Sequence, residues 1–393
     1  MGDDTDIAII GAGPIGLEAG LAAAERDADF KIFEAAERAG GYVREWSHVR
    51  TFTPWSMSVS ERARAALGEL APQGEEVPDG AALIERLIQP LADSVALSGR
   101  IELGARVVAV GREGLLKHEE ISSGARAARP FRLLVLDAAG DERIVRAGSV
   151  IDCSGTYGTP NRLGDGGIDA PGERALEERI ERLLPDFVRD AEHWAGRTIL
   201  LTGSGHSAQT AARSLAELAA AAPETRVIWA VRRADPDWGA VDGDPLPERA
   251  ELNAEADELR HGSSPAVEVL TGTVTEALEP SGERIAVSLR NGAPLRVEVD
   301  RVLALNGGVG DHSIYRQLQV HECYASSAPM NLSAALLAAD GGDCMAQVSH
   351  GAETLLNPEP GFFILGAKSY GRNSQFLMRI GWRQVDDVFA SLL

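Results

Sequence analysis

Two stretches of this 393-residue chain set glycines behind an apolar run at a spacing that grips a diphosphate. In "IAIIGAGPIGLEAG", Ile7 to Gly20, they are Gly11, Gly13 and Gly16. In "LLTGSGHSAQTAA", Leu200 to Ala212, they are Gly203 and Gly205, with Ala208 in third place. The first glycine permits a tight turn and the second lets the backbone approach a pyrophosphate. The small third residue lets the following helix pack close, so that its free N–H groups and positive dipole end face the phosphates. Pro14 and Ile15 complete the first turn, and His206 and Ser207 the second. A third concentration lies at "GGYVREWSHVRTFTPWSMSVS", where Arg44, Trp46, His48, Arg50, Trp55, Ser56 and Met57 fall within fourteen residues of a chain only 5% aromatic. An apolar wall with a few fixed donors is what a small-molecule pocket requires. Arg44, His48, Trp55, Ser56 and Met57 are therefore the catalytic candidates, His48 as a proton donor near neutral pH. The competing reading is packing plus surface charge.

The elements that position these residues follow from local patterning. Ile7–Ile10 reads as a strand buried on both faces, and a helix follows from Pro14 to about Arg26. The next strand, "DFKIFEA", ends in Glu34 and Ala35, where a carboxylate accepts ribose hydroxyls. The second turn precedes a helix to about Ala222 and the strand "RVIWAVRR". That strand ends in Arg232-Arg233, cations suited to a 2′-phosphate, or else a solvated strand end. "VIDCSGTYGTPN", Val150 to Asn161, and "DRVLALNGGVGD", Asp300 to Asp311, run from strand into glycine turn and read as crossings between domains. The alternating segments Ala266–Pro280 and Arg284–Val299, with Asn291-Gly292 as a hairpin turn, predict an antiparallel meander, and Ile101–Arg146 predicts another.

Composition narrows the function classes. The 59 acidic and 38 basic residues give a net charge of -21, which repels nucleic acid and anionic membrane surfaces. No apolar run approaches the ~18 residues of a membrane span, and "MGDDTD" is the opposite of a signal peptide's basic opening, so a cytoplasmic protein is expected. Cys153, Cys323 and Cys344 form no Cys-x-x-Cys pair, which argues against a zinc site or local dithiol and leaves no metal site expected.

The order "GAGPIGLEAG", "FEA", "GGYVREW" resembles the FAD-binding half of the two-dinucleotide-binding-domain flavoproteins, the group of thioredoxin reductases and flavin-containing monooxygenases. The resemblance implies an α/β fold of two Rossmann-like domains, each a parallel sheet with an antiparallel β-meander, the NAD(P)H domain inserted in the FAD domain. The boundaries implied are 1–155 and 306–393 for FAD, with a variable segment at 320–357, and 156–305 for NAD(P)H. FAD is then expected on the first turn and NADPH on the second. Gly41, Arg44, Trp46, Val107, Ser154 and Gly155 join the cofactor-binding candidates. Where the family has an Asp at the flavin's ribityl chain, this sequence has Gly366-Ala367-Lys368. Lys368 and Arg372 then meet flavin oxygens, pyrophosphate or an acidic substrate, or serve as capping and surface charge.

"PDFVRDAEHWAG" is similar to the monooxygenase fingerprint Phe-x-Gly-x-x-x-His at Phe187 and His193, with Arg189 in the glycine's place. His193 reads either as a packed histidine or as a mechanistic hinge. Disulfide reductases of the group pass electrons through paired thiols. Cys323 and Cys344 could be paired only by folding. The expected function is an NADPH-oxidising FAD monooxygenase, in which a flavin hydroperoxide gives oxygen to nitrogen or sulfur of a small substrate, with molecular oxygen as co-substrate. A reductase serving an external acceptor, and a non-catalytic nucleotide-binding protein, stand as alternatives. The segment His321–Gly351 shapes either the substrate pocket or a subunit contact, such as that of a homodimer.

Overall fold

The structure is a computed structural model that describes residues 4–338, 345 and 348–392. The chain divides into two compact units, residues 1–159 with 309–393 and residues 160–308.

The first unit opens with β1 (Thr5–Ile10), helix α1 (Pro14–Ala24) and β2 (Phe30–Glu34). β3 (Ile101–Leu103), β4 (Arg106–Arg112), β5 (Phe131–Leu136) and β6 (Glu142–Asp152) follow. The sheet order is β3-β2-β1-β6-β5-β4, and a terminal strand, Phe362–Ile364, also pairs with β6. In β1, Ile7 and Ile9 join one core while Ala8 and Ile10 join another on the opposite face, which explains its unbroken apolar run. The eleven-residue β6 serves two sheets of contacts. Its first half runs antiparallel to β5, and its second half runs parallel to both β1 and the terminal strand. Ile10, Asp152 and Ile364 consequently end level with one another. The expected meander over Ile101–Arg146 needs correction, because β3 pairs parallel with β2 and only β4–β6 form the antiparallel part.

α1 is apolar nearly all round and is buried from Ile15 to Ala23. Its one acid, Glu18, accepts 2.6 Å hydrogen bonds from Ser60 Oγ and Arg62 Nη1. Burial raises its carboxyl pKa, and these two donors oppose the shift. α2 (His206–Ala221) belongs to the second unit, and the C-terminal helix α3 (Met378–Leu392) to the first. α3 meets α1 closely because Gly381 lets the Ile15 side chain in, a Cβ there standing 2.3 Å from Ile15 Cδ1.

The second unit has β7 (Ile180–Glu181), β8 (Thr198–Thr202), β9 (Arg226–Val231) and β10 (Val267–Thr271). β11 (Val274–Ser281), β12 (Arg284–Asn291), β13 (Ala293–Val299) and β14 (Arg301–Ala304) complete it. Its parallel sheet runs β10-β9-β8-β14-β7, and β11-β12-β13 make a separate antiparallel sheet. Val267–Thr271 is thus a parallel edge strand rather than the start of the expected meander. Its residues run from buried Val267 to exposed Glu268, an alternation that a hairpin strand shares. Asn291-Gly292 does turn the chain, with Gly292 at φ +67° between paired Asn291 and Ala293.

Candidate functional sites at the two glycine turns

In the first unit Gly11 adopts φ +98°, and a Cβ there would stand 2.8 Å from the Cys153 carbonyl oxygen. A Cβ on Gly16 would stand 1.8 Å from the Gly11 oxygen, so the helix reaches its place only without a side chain. Gly13, by contrast, has nothing within 4 Å of its absent Cβ. Its open side is where a ligand's phosphates would approach. Glu34 sits at the end of β2 with Oε2 accepting from Ala12 N (2.8 Å) and Oε1 from Ala36 N (2.9 Å). Each oxygen keeps a second lone pair, so the carboxylate braces the turn and can still accept ribose hydroxyls. Gly41 lies against this group, its absent Cβ 3.3 Å from Glu34 Oε1, and Ala35 is exposed beside it. This donor and acceptor set fits the diphosphate and ribose of a dinucleotide.

Other candidates divide. The Ile15 side chain is spent on Gly366 and Gly381, and Val107 is buried in the core beside Phe33, leaving only backbone for a ligand. Pro14 occupies the first turn of α1. Arg44 donates from Nε to Ala39 O (3.0 Å) and from Nη2 to Gln89 Oε1 (2.7 Å). It lines an open cavity of about 620 Å³ with Arg38, Ser47, Ile84, Gln89 and Asp93. Desolvation, then the neighbouring Arg38, lower the Arg44 pKa.

Trp46 turns elsewhere, stacking at 6.4 Å on Tyr157, which stacks at 5.8 Å on Tyr42. Trp55 is fully buried in the α1 core with Arg86 5.0 Å from its ring, whereas Ser56 is exposed and Met57 half-buried. His48 keeps a buried Nε2 without a hydrogen-bond partner. Arg44 at the cavity, Trp46 on the aromatic stack and Trp55 in the core thus have different surroundings.

No motif marks Asp152 or Tyr315 as functional, although an acid closing an apolar strand, as in "VID", is a detectable signal. Asp152 is fully buried, and Lys368 meets it at 2.5 Å. Lys368 spends its remaining donors on Ser154 Oγ (3.1 Å) and Asp311 O (2.8 Å). All three ammonium hydrogens thus end on protein groups, and Arg372 is exposed. Gly155 follows at φ +74° with open space at its Cβ position.

Cys153 and Cys323 are both free thiols. Cys153 lies beside Gly16, where burial and then Asp152 raise its pKa well above the ordinary value. Cys323 is buried in a turn whose Ser326 hydrogen bonds lower its thiol to about 7. Cys344 lies outside the described residues. Alkylation of Cys323 by iodoacetamide, followed by peptide mass mapping, should rise through about pH 7, and Ser326→Ala should move that midpoint upward. A midpoint unmoved by the substitution would remove Ser326 as the cause.

The second turn repeats the first. Gly203 adopts φ +111°, and a Cβ would stand 2.2 Å from Leu305 O, whereas Gly205 is open and exposed. Ala208 is fully buried beneath the turn, and Ser207 is exposed on the first turn of α2. Trp229 Nε1 donates to Gly203 O (2.8 Å), and Gln209 Nε2 bridges Ser204 O and Trp238 O. Burial, then Arg249, lower the His206 pKa, so His206 stands neutral at the helix start. Arg232 and Arg233 are exposed at the end of β9, Arg233 pairing with Asp237 at 3.1 Å. Phe187 packs edge-on against Trp194 at 5.3 Å while His193 is exposed. Among the described residues no cluster suits a metal ion, and no helix is long and apolar enough to cross a membrane.

A family profile described as an NAD(P)-binding Rossmann-like domain matches residues 9–65, the first turn and its flanks. No curated protein matches the chain in sequence. Among solved structures, bacillithiol disulfide reductase from Bacillus cereus is similar at a TM-score of 0.71 and 16% identity, covering 99% of this chain and 98% of that one. Ornithine hydroxylase from Pseudomonas aeruginosa gives 0.65 and 14%, covering 99% and 98%. A flavin-containing monooxygenase from Stenotrophomonas maltophilia gives 0.59 and 19% over the whole of both chains. The chain shares its overall fold with these three proteins.

Proposed function

We propose that the chain is an FAD-dependent, NADPH-oxidising oxidoreductase, and within that class a monooxygenase acting on nitrogen or sulfur of a small substrate. The observation that carries the reading is the pair of complete glycine turns with opposite termini, Glu34 on one and Arg232-Arg233 on the other. Glu34, Gly13 and the start of α1 would hold the FAD diphosphate and ribose. Gly205, His206, Ser207 and the two arginines would hold NADPH, the arginines taking its 2′-phosphate. Bound together, the two cofactors supply hydride transfer to the flavin and, from there, electrons to dioxygen. The protein's part is to orient the cofactors.

Oxygen as electron acceptor is favoured over a disulfide by two features: Cys153, half-buried beside the first turn, is a weak acid, and no Cys-x-x-Cys pair exists in the sequence. The fold's likeness to a disulfide reductase supports the second reading, a reductase that passes electrons to an external acceptor. Anaerobic reduction with NADPH followed by oxygen, in the presence of candidate amines and thiols, separates the two. Product carrying one oxygen atom from dioxygen supports the monooxygenase, and oxygen-independent turnover with a disulfide or quinone overturns it. Replacing Arg232 and Arg233 together by glutamate should raise KM for NADPH about tenfold or more while leaving that for NADH nearly unchanged, as loss of charge-assisted phosphate contacts requires. Equal changes for both nucleotides would remove the arginines from that role.

A further inference from the structure

The turn at 366–370 lacks the acid expected there, yet a carboxylate reaches the same place from another strand. Asp152 ends β6, level with Ile10 and Ile364, and has no solvent exposure. A bare carboxylate is costly in such a position unless it is paired and hydrogen-bonded. Lys368 pairs with one oxygen. The other, Oδ1, accepts from Ser154 N (3.0 Å) and Ser154 Oγ (2.6 Å). The lysine stem passes through space that exists only because residue 310 is glycine, since a Cβ there would stand 2.2 Å from Lys368 Cγ. The Tyr315 ring flanks the ammonium at 5.2 Å. A charged relay thus runs from Lys368 through Asp152 to the backbone of the crossing turn.

We propose that Lys368 is a positioning residue: by pairing with Asp152 and fixing its orientation, it holds the Ser154–Gly155 turn in the conformation that receives the flavin cofactor. The proposal rests on the flavin reading for its ligand but not for its geometry. Lys368 acts through Asp152, all of its donors being already engaged by protein.

The test uses the full chain as Lys368→Met, Asp152→Asn and the double variant, with hydrogen exchange at the Ser154 amide, which donates to Asp152, and FAD affinity as readouts. Each single change should speed exchange at this amide at least tenfold and weaken FAD binding about tenfold or more. The meander amides of β4 and β5 should stay protected. The double variant, which leaves neither charge behind, should recover most of both losses and covers the case in which a single variant does not fold. Unchanged exchange in Lys368→Met, or a double variant no better than the singles, overturns the proposal. Wild-type protein that takes up no FAD overturns the flavin reading instead, and the exchange result still decides whether the pair fixes the turn.

Discussion

Replacing Glu359 by alanine should destabilise the first unit by about 3–5 kcal/mol, the cost of breaking a buried ion pair and leaving its partners uncompensated. Glu359 has no side-chain exposure, and two arginines share it. Arg126 donates from Nε and Nη2 to the carboxylate, the shortest contact being 2.7 Å, and from Nη1 to Leu116 O and Glu119 O. Arg112 donates from Nε at 2.8 Å and also caps Arg129 O and Pro360 O. Gln319 N completes the shell at 2.8 Å. The group therefore ties the 113–130 insertion of the β4–β5 hairpin to the approach to the terminal strand. Removing the acid strands two buried cations, their side chains 1% and 0% exposed. Thermal unfolding should show a loss of about 10 °C, taking ~2–4 °C per kcal/mol for a unit of this size. Arg146→Ala, which opens a solvent-exposed pair with Glu113, should leave the midpoint almost where it was. Equal small shifts for both variants would show that the buried group contributes no more than a surface pair.

The second large effect separates two glycines three residues apart. Gly16→Ala forces a methyl group to 1.8 Å from the Gly11 oxygen, so the first turn or α1 must move. Overpacking of this kind costs about 1–3 kcal/mol, and FAD binding should fall at least tenfold with it. Gly13→Ala meets nothing in the protein, and its φ of -79° and ψ of -176° suit any residue. Its melting temperature in the absence of FAD should stay that of the wild type, while FAD binding falls about tenfold because the methyl group occupies the diphosphate's approach. Titration of flavin fluorescence alongside calorimetry reads both quantities. A Gly13→Ala protein that binds FAD as the wild type does would remove the first turn from the cofactor site.

The glycine turns, the strands before them and the residues closing the next strands were legible because each expresses a local backbone requirement. β10 was misread because an edge strand and a hairpin strand share a two-residue period. β3 escaped as a parallel strand because three residues carry no pattern. The Glu359 group and the Lys368–Asp152 pair were invisible for a different reason. Their partners lie 233 to 247 and 216 residues apart, and no spacing rule connects them. In the Arg44–Met57 segment, residue types suggested one pocket, but backbone direction decides where each side chain goes. Trp55 consequently lies in the core, Trp46 on an aromatic stack and Arg44 beside a cavity.

The near identity of the two turns gives the molecule a built-in calibration. Gly11 and Gly203 each crowd the carbonyl at the end of a neighbouring strand, Cys153 in one case and Leu305 in the other. One added methyl would stand 2.8 Å from its carbonyl at Gly11 and 2.2 Å at Gly203, so each jams its own lock, the second more severely. Comparing the pair within a single polypeptide tells which turn each nucleotide depends on, without reference to any other enzyme.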